Sequence, residues 1–227
     1  MLPSHDRYDF YPIDERAPYA WPDGKSLAFY IGVNIEHYAF LTGGGMDPHN
    51  RGGGPTHRNF SWRDYGNRVG VWRIFDLLDE SRLPATVLLN SLVAEHYPAI
   101  VRRIALRGDE ILGHGVTNSQ TLRNLSEEDE AEIIRNTTEV IERLTGERPR
   151  GWLGPGATSN AVTPDLLQEY GYTHLLDWPA DDQPFWMRTR AGPILSVPYP
   201  MELNDAGAQA LRDHTGREFC AMVVDQF

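Results

Sequence analysis

Glu36, His114 and Asp177 are the side chains of this sequence best suited to moving protons, and each follows a short apolar run. Glu36 and His37 come just after residues 26–33, Ser-Leu-Ala-Phe-Tyr-Ile-Gly-Val. His114 stands between Gly113 and Gly115 at the end of Glu110-Ile-Leu, and Asn118 follows four residues on. Asp177-Trp178 closes the run 172–176. A carboxylate that takes a proton from water, a histidine that donates to a leaving group and polar groups that hold an oxyanion make a hydrolytic site. In this assignment Glu36 is the general base and His114 the acid or carbonyl-polarising group. Asp177 orients a partner or fixes the substrate. Each of the three alone reads equally well as an ordinary turn residue, and their joint placement is what points to chemistry.

Other routes to catalysis are disfavoured. No Gly-x-Ser-x-Gly elbow occurs, and Cys220 falls in an expected C-terminal helix. The glycine triplets at 43–45 and 52–54 are too loose for a phosphate loop or a dinucleotide fingerprint.

Positioning these residues takes alternating strands and helices. Residues 1–25 read as an extended arm rich in Pro and Tyr, and 26–33 as the first strand. The stretch 42–66 reads as a long irregular segment, equally a flap over the strand ends or a disordered insertion. Val71, Trp72, Phe75 and Leu78 share one face of a helix over 67–81. Pro84 breaks the chain, 85–89 is a buried-type strand, and a helix over about 97–107 stops at Gly108 before the His114 strand. Ser126-Glu-Glu-Asp129 opens a helix to Leu144, with Ile134, Ile141 and Leu144 inward and Gly146 as its stop. Thr163-Pro164 begins the next helix, which ends at Gly171. Strands at 172–176 and 194–197 and a helix pair over 206–227 complete the pattern. Such alternation predicts an α/β fold with a mostly parallel sheet. If the sheet closes into a barrel, one rim collects Glu36, His37, Asn90, His114, Asn118, Trp152, Asp177, Asp181, Asp182 and Glu202.

Composition narrows the partners. The 227 residues suit one large domain or two small ones, with enough apolar content (41%) for a core. The formal charge of −11, with no Lys/Arg block, argues against nucleic acid or anionic membranes as partners. A single cysteine excludes an internal disulfide and a multi-cysteine zinc site. No apolar run has the length of a membrane span and the N-terminus has no apolar signal core, so a cytoplasmic protein is expected.

At these residues the chain resembles the polysaccharide deacetylase (NodB-homology) superfamily. The carrying segments are Asn34-Ile-Glu36-His37, His114-Gly-Val-Thr-Asn118, Arg150-Gly-Trp-Leu-Gly-Pro-Gly156 and Asp177-Trp178. Tyr65-Gly-Asn-Arg68, Asp181-Asp182-Gln-Pro184-Phe-Trp186 and Val197-Pro-Tyr-Pro-Met-Glu-Leu-Asn204-Asp205 bring it closest to the cofactor-independent, allantoinase-like branch. The resemblance covers almost the whole chain. It implies a distorted (β/α) barrel of the glycoside hydrolase/deacetylase type, as one domain over 1–227. It also implies hydrolysis of a non-peptide carbon–nitrogen bond in a small amide, a ureide such as allantoin, or an N-acyl sugar.

The resemblance extends to the site and its departures. His37, Asn118, Trp152, Asp182 and Trp186 are the implied substrate-binding residues. The zinc deacetylases of the family bind metal through an aspartate and two histidines. Here Asn118 occupies the second histidine position, and His37 stands where the metal-binding acid would be. The site therefore has no cofactor, or one divalent metal such as zinc held by His37 and His114 with a third ligand from elsewhere. Trp152 takes the place of the family's arginine. The family continues past the equivalent of Phe227 with a strand bearing a late histidine motif and a closing helix. A barrel without its last strand and helix, by C-terminal truncation or with the rim completed in a homo-oligomer, is the expectation. The rival readings are a metal-dependent polysaccharide deacetylase and a non-catalytic binding protein on a degenerate barrel.

Overall fold

The structure, a computed structural model, describes residues 4–42 and 55–226. Among these residues seven strands form one sheet: β1 (Gly32–Ile35), β2 (Thr86–Leu89), β3 (Glu110–Gly113), β4 (Gly151–Trp152), β5 (His174–Leu175), β6 (Phe185–Arg188) and β7 (Pro193–Ser196). Their order is β1-β2-β3-β4-β5-β7-β6, and every pairing is parallel except β6 with β7. The helices are α1 (His57–Tyr65), α2 (Val71–Ser81), α3 (Ser91–His96), α4 (Pro98–Arg107), α5 (Glu127–Thr145), α6 (Thr163–Glu169) and α7 (Gly216–Gln226). The expected α/β class holds, with helices as the crossovers that parallel neighbours require.

β1 and β7 share no ladder. The chain after β7 reaches β1 through side chains instead. The Tyr30 hydroxyl donates to the Pro198 carbonyl at 2.7 Å, and Asn34 Nδ2 donates to the Tyr199 hydroxyl at 3.2 Å. These contacts turn the open sheet into a barrel-like enclosure.

The core follows the periodicity of the sequence. On α2 the buried residues are Val71, Phe75 and Leu78, packed with Val33, Ile35, Val87 and Leu89 of the strands and Ile100 and Ile104 of α4. α4 ends at Gly108 in the left-handed region, as its glycine stop predicts. α5 begins with the Ser126 hydroxyl accepting from the Asp129 N–H and ends at Gly146, again left-handed. A second apolar cluster joins Trp152, Leu167, Tyr172, Leu175 and Ile194 under α5 and α6.

Several sequence expectations need correction. The first strand begins at Gly32 rather than 26, because its partner β2 begins only at Thr86, after the break at Pro84. Within the stretch expected to be irregular, residues 57–65 form α1, capped by Thr56, while 43–54 lie outside the described residues. A π-helical segment, Gly66–Gly70, joins α1 to α2 where one continuous helix was expected. The short helix α3 and the antiparallel strand β6 were not expected at all. Leu144 is 37% exposed rather than inward.

The N-terminal arm lies across α6 and β6. Arg7 Nη1 donates to Asp165 at 2.7 Å, the Arg188 N–H donates to the Arg7 carbonyl at 2.7 Å, and Arg16 Nη1 donates to Asp181 at 2.7 Å. Asp181 is therefore an anchor for the arm. Among the described residues no helix is long and apolar enough to cross a membrane.

Candidate active site

Side chains alternate along an extended chain, so Asn34, Glu36 and Tyr38 leave β1 and its continuation on one side. All three line a cavity of about 980 Å³, together with His114, Asn118, Arg63, Tyr199 and Asn204. Glu36 Oε1 lies 3.5 Å from His114 Nε2, and Glu36 Oε2 accepts from the Tyr38 hydroxyl at 2.7 Å. Burial alone would raise the carboxyl's pKa. The His114 imidazole, the Tyr38 hydroxyl and the Arg63 guanidinium outweigh burial, holding Glu36 below the ordinary glutamate range. Glu36 is therefore a carboxylate near neutrality. Its backbone carbonyl accepts from Asn67 Nδ2 at 2.8 Å, out of the π-helical segment, a device common at functional sites.

His114 continues β3 past its last ladder residue, its N–H donating to the Leu89 carbonyl at 3.1 Å. Its ring is buried (1% exposed), and Nδ1 lies 2.6 Å from the Leu153 carbonyl. A carbonyl oxygen only accepts, so Nδ1 carries the hydrogen and Nε2 is the position at which protons exchange. Among the described residues Nε2 has no hydrogen-bond partner, and it faces Glu36.

Asp177 reaches His114 through one peptide unit. Leu153–Gly154 accepts from His114 Nδ1 at its carbonyl, and its N–H donates to Asp177 Oδ1 at 2.8 Å. The carboxylate thus fixes and polarises the peptide that fixes the imidazole. Burial pushes Asp177 up to about 7, against the lowering effects of the Gly154 N–H and His114. Its Oδ2 is buried, without a partner among the described residues.

Asn90 holds the surrounding loops together. Its Oδ1 accepts from the His37 N–H at 2.8 Å, and its Nδ2 donates to the His114 carbonyl and, at 3.2 Å, to Asn118 Oδ1. This occupation explains why Asn90 does not cap α3. The first N–H groups of α3 instead donate to the carbonyls of Gly115 and Val116, fixing the loop after His114.

The structure brings together some of the expected site residues and not others. Glu36, His114 and Asn118 meet at the cavity, with Asp177 behind them. His37 points the other way: its Nδ1 lies 3.1 Å from the Thr117 hydroxyl, its ring is 5.3 Å from that of His96, and it does not line the cavity. Trp152 is fully buried in the core, edge-on to Tyr172. Asp182 is exposed and Trp186 is 63% exposed on edge strand β6; neither lines the cavity. Asn34, Tyr38, Arg63, Tyr199 and Asn204 were missed as lining residues. The x-Asn-x-Glu-x-Tyr alternation from Val33 to Tyr38 was the available signal for two of them.

This geometry bears on the metal that the resemblance implies. His114 Nε2 is the one imidazole nitrogen the cavity presents among the described residues, and the adjacent amide of Asn118 is a poor zinc ligand. Among those residues no group of three His, Cys, Asp or Glu side chains could hold a metal ion. The donor set does not fit a site of two histidines and a carboxylate, and His37 and His114 do not converge to form one.

The sequence profile of the family described as polysaccharide deacetylase matches residues 62–175, half of the chain. A Schizosaccharomyces pombe protein carrying the polysaccharide deacetylase name is 24% identical over 222 residues, spanning 86% of this chain and 68% of that protein. The peptidoglycan deacetylase of Helicobacter pylori is 25% identical over 183 residues, spanning 80% of this chain and 59% of that enzyme. The crystal structure of PuuE allantoinase superposes with a TM-score of 0.82 at 26% identity, covering 94% of this chain and 75% of that one. Profile, relatives and barrel-like sheet agree, and the chain belongs to the polysaccharide deacetylase family.

Proposed function

We propose that the chain is a hydrolase that cleaves a non-peptide carbon–nitrogen bond, an amide, in a small amide or ureide such as allantoin or in an N-acyl sugar. The observation that carries this reading is the Glu36–His114 pair, 3.5 Å apart on the wall of a cavity of about 980 Å³. Glu36 takes a proton from water as the water oxygen adds to the substrate's carbonyl carbon. The C–N bond breaks as the leaving nitrogen takes a proton from Nε2 of the His114 imidazolium. Glu36 has then gained one proton and His114 lost one, and transfer across the short gap between them resets the site. One water is consumed for each bond cleaved. Leu153 and Asp177 hold the imidazole in the tautomer this needs. The names of the relatives, a peptidoglycan deacetylase and an allantoinase, support an amide carbon as the target.

The test is Glu36→Gln, which keeps the volume and removes the base. Loss of a general base is worth roughly 10²–10⁴ in rate. The variant is expected to lose turnover of amide substrates by at least about 10² with an unchanged melting curve; an unaltered kcat would remove Glu36 from its role. Proton transfer between Glu36, water and His114 uses no metal, so the wild-type rate is expected to survive dialysis against a chelator. A rate abolished by the chelator and restored by zinc would favour the metal-dependent deacetylase instead.

A further inference from the structure

On the side of the cavity away from His114, three polar residues form a chain of hydrogen bonds. Asn34 Nδ2 and Asn204 Nδ2 both donate to the Tyr199 hydroxyl, each at 3.2 Å. Asn204 is held in turn by the Gly207 N–H, which donates to its Oδ1 at 3.0 Å. The Tyr199 oxygen therefore accepts twice, and its own hydrogen is left over to donate. Among the described residues no acceptor lies against it. Asn34 Oδ1 shows the reverse condition: it is a buried acceptor with no donor among the described residues. All three side chains line the same cavity as Glu36, and Asn34 sits two residues before it on β1. A buried acceptor left unpaired costs about 1–3 kcal/mol, a cost that a bound donor removes.

We propose that Asn34 and Tyr199 form a subsite that reads the edge of a cis amide on the substrate. The substrate's N–H donates to Asn34 Oδ1, and the adjoining C=O accepts from the Tyr199 hydroxyl. A donor and an acceptor side by side occur on lactam and ureide rings and on a primary carboxamide. An open-chain N-acetyl group is trans and points its N–H and C=O in opposite directions, so it satisfies one partner at a time. Asn204 is a positioning residue that turns the Tyr199 hydrogen toward the substrate. The inference rests on the proposed amide hydrolysis at Glu36 and names the substrate class for it: a cyclic ureide, lactam or carboxamide ahead of an N-acetyl sugar.

Calorimetric titration of the whole chain, in the Glu36→Gln background so that nothing is consumed, tests this with hydantoin and N-acetylglucosamine as probes. Hydantoin is expected to bind more tightly than the sugar, and Tyr199→Phe to weaken it about tenfold, as the loss of one hydrogen bond allows. Asn34→Ala is expected to weaken it similarly. Should that variant fold poorly, Tyr199→Phe, which removes a single oxygen, carries the test. Absence of hydantoin binding, equal affinity for the sugar, or indifference to Tyr199→Phe would each overturn the subsite. The two readings also fail separately. Glu36-dependent hydrolysis indifferent to Tyr199 would sink the subsite alone. Tyr199-dependent hydantoin binding without any amide hydrolysis would sink the catalytic reading alone.

Discussion

The two walls of the cavity are built by different means. On one side β1, β2 and β3 pair over four residues at each boundary, and Glu36 and His114 leave the ends of those ladders. On the other side the ladders shrink to one pair between β3 and β4 and two between β4 and β5. Beyond β7 the wall is carried by side chains, with Tyr199, Asn34 and Asn204 linking what backbone pairing does not. The contrast separates two tasks. The proton transfer proposed for Glu36 and His114 tolerates little misplacement, and both groups sit at the ends of rigid elements. The proposed reading of the substrate falls to Tyr199 and Asn204, which line the cavity without belonging to the sheet. Changes in the first wall should therefore damage stability and rate together, and changes in the second should alter binding while the fold persists.

The seam between β3 and β4 is where the first wall meets the second, and Gly113→Ala should give the largest effect. A Cβ there would lie 2.7 Å from Trp152 Cε3 and 2.9 Å from the Tyr172 hydroxyl, both on buried residues. Overpacking a dense core costs about 1–3 kcal/mol. The neighbours are a fixed indole and a phenol held by Thr138 at 2.8 Å. A loss of about 3 kcal/mol is therefore expected, read by chemical denaturation. His114 is the next residue, so kcat should fall as well. A variant of native stability would mean that the seam can shift, and the contrast between the walls would weaken.

The sequence foretold the ladder wall better than the other. Val71, Phe75 and Leu78 announce α2, and Ser126 and Gly146 bracket α5, because apolar period and caps report burial and helix ends directly. The mostly parallel sheet followed, and with it the meeting of Glu36, His114 and Asn118. Elsewhere the same signals fail for physical reasons. α1 buries no side chain, so its sequence carries no apolar stripe. β6 is an edge strand with one buried residue, Met187, and reads like a loop. Asn34, Tyr199 and Asn204 face a cavity, and in a sequence such residues look like surface residues. Trp152 and His37 fit the family's order of motifs, but the first is packed into the core and the second is turned toward Thr117. Asn90 precedes α3, a helix the sequence did not announce, and holds His37 and Asn118 rather than capping it.

Asp177 tests whether the seam is held by charge or by shape. Its carboxyl is pushed from an ordinary 3.8 up to about 7 by burial. Folding must then suppress an ionisation that the unfolded chain makes freely. The group's stability contribution is intact below about pH 4, declines as pH rises, and is fully lost above about 7. Replacing the carboxyl with an amide, as Asp177→Asn, keeps an oxygen for the Gly154 N–H and leaves nothing to titrate. Relative to wild type, that variant should gain about 2 kcal/mol of stability between about pH 5 and about pH 8, by urea unfolding at each pH. A difference independent of pH would mean that the carboxyl is solvated, and that polarisation of the Leu153–Gly154 peptide is not part of how His114 is held.

Tyr38 gives the smallest and most specific effect, because it touches the proposed base and not the fold. Its hydroxyl donates to Glu36 Oε2 at 2.7 Å and helps keep the carboxylate ionised against the cost of its burial. For a base that must be deprotonated, activity falls as pH drops through its pKa. The acid limb of kcat/KM should therefore lie below the ordinary glutamate range in the wild type. Tyr38→Phe removes one of the groups that lower it, so the limb should move to higher pH. Above the limb, where Glu36 is ionised in both proteins, kcat should fall by less than about tenfold, since His114 and Arg63 remain. A limb that stays in place while kcat falls at every pH would assign Tyr38 to substrate contact instead. Tyr38 would then belong, by function, with the wall proposed to read the substrate.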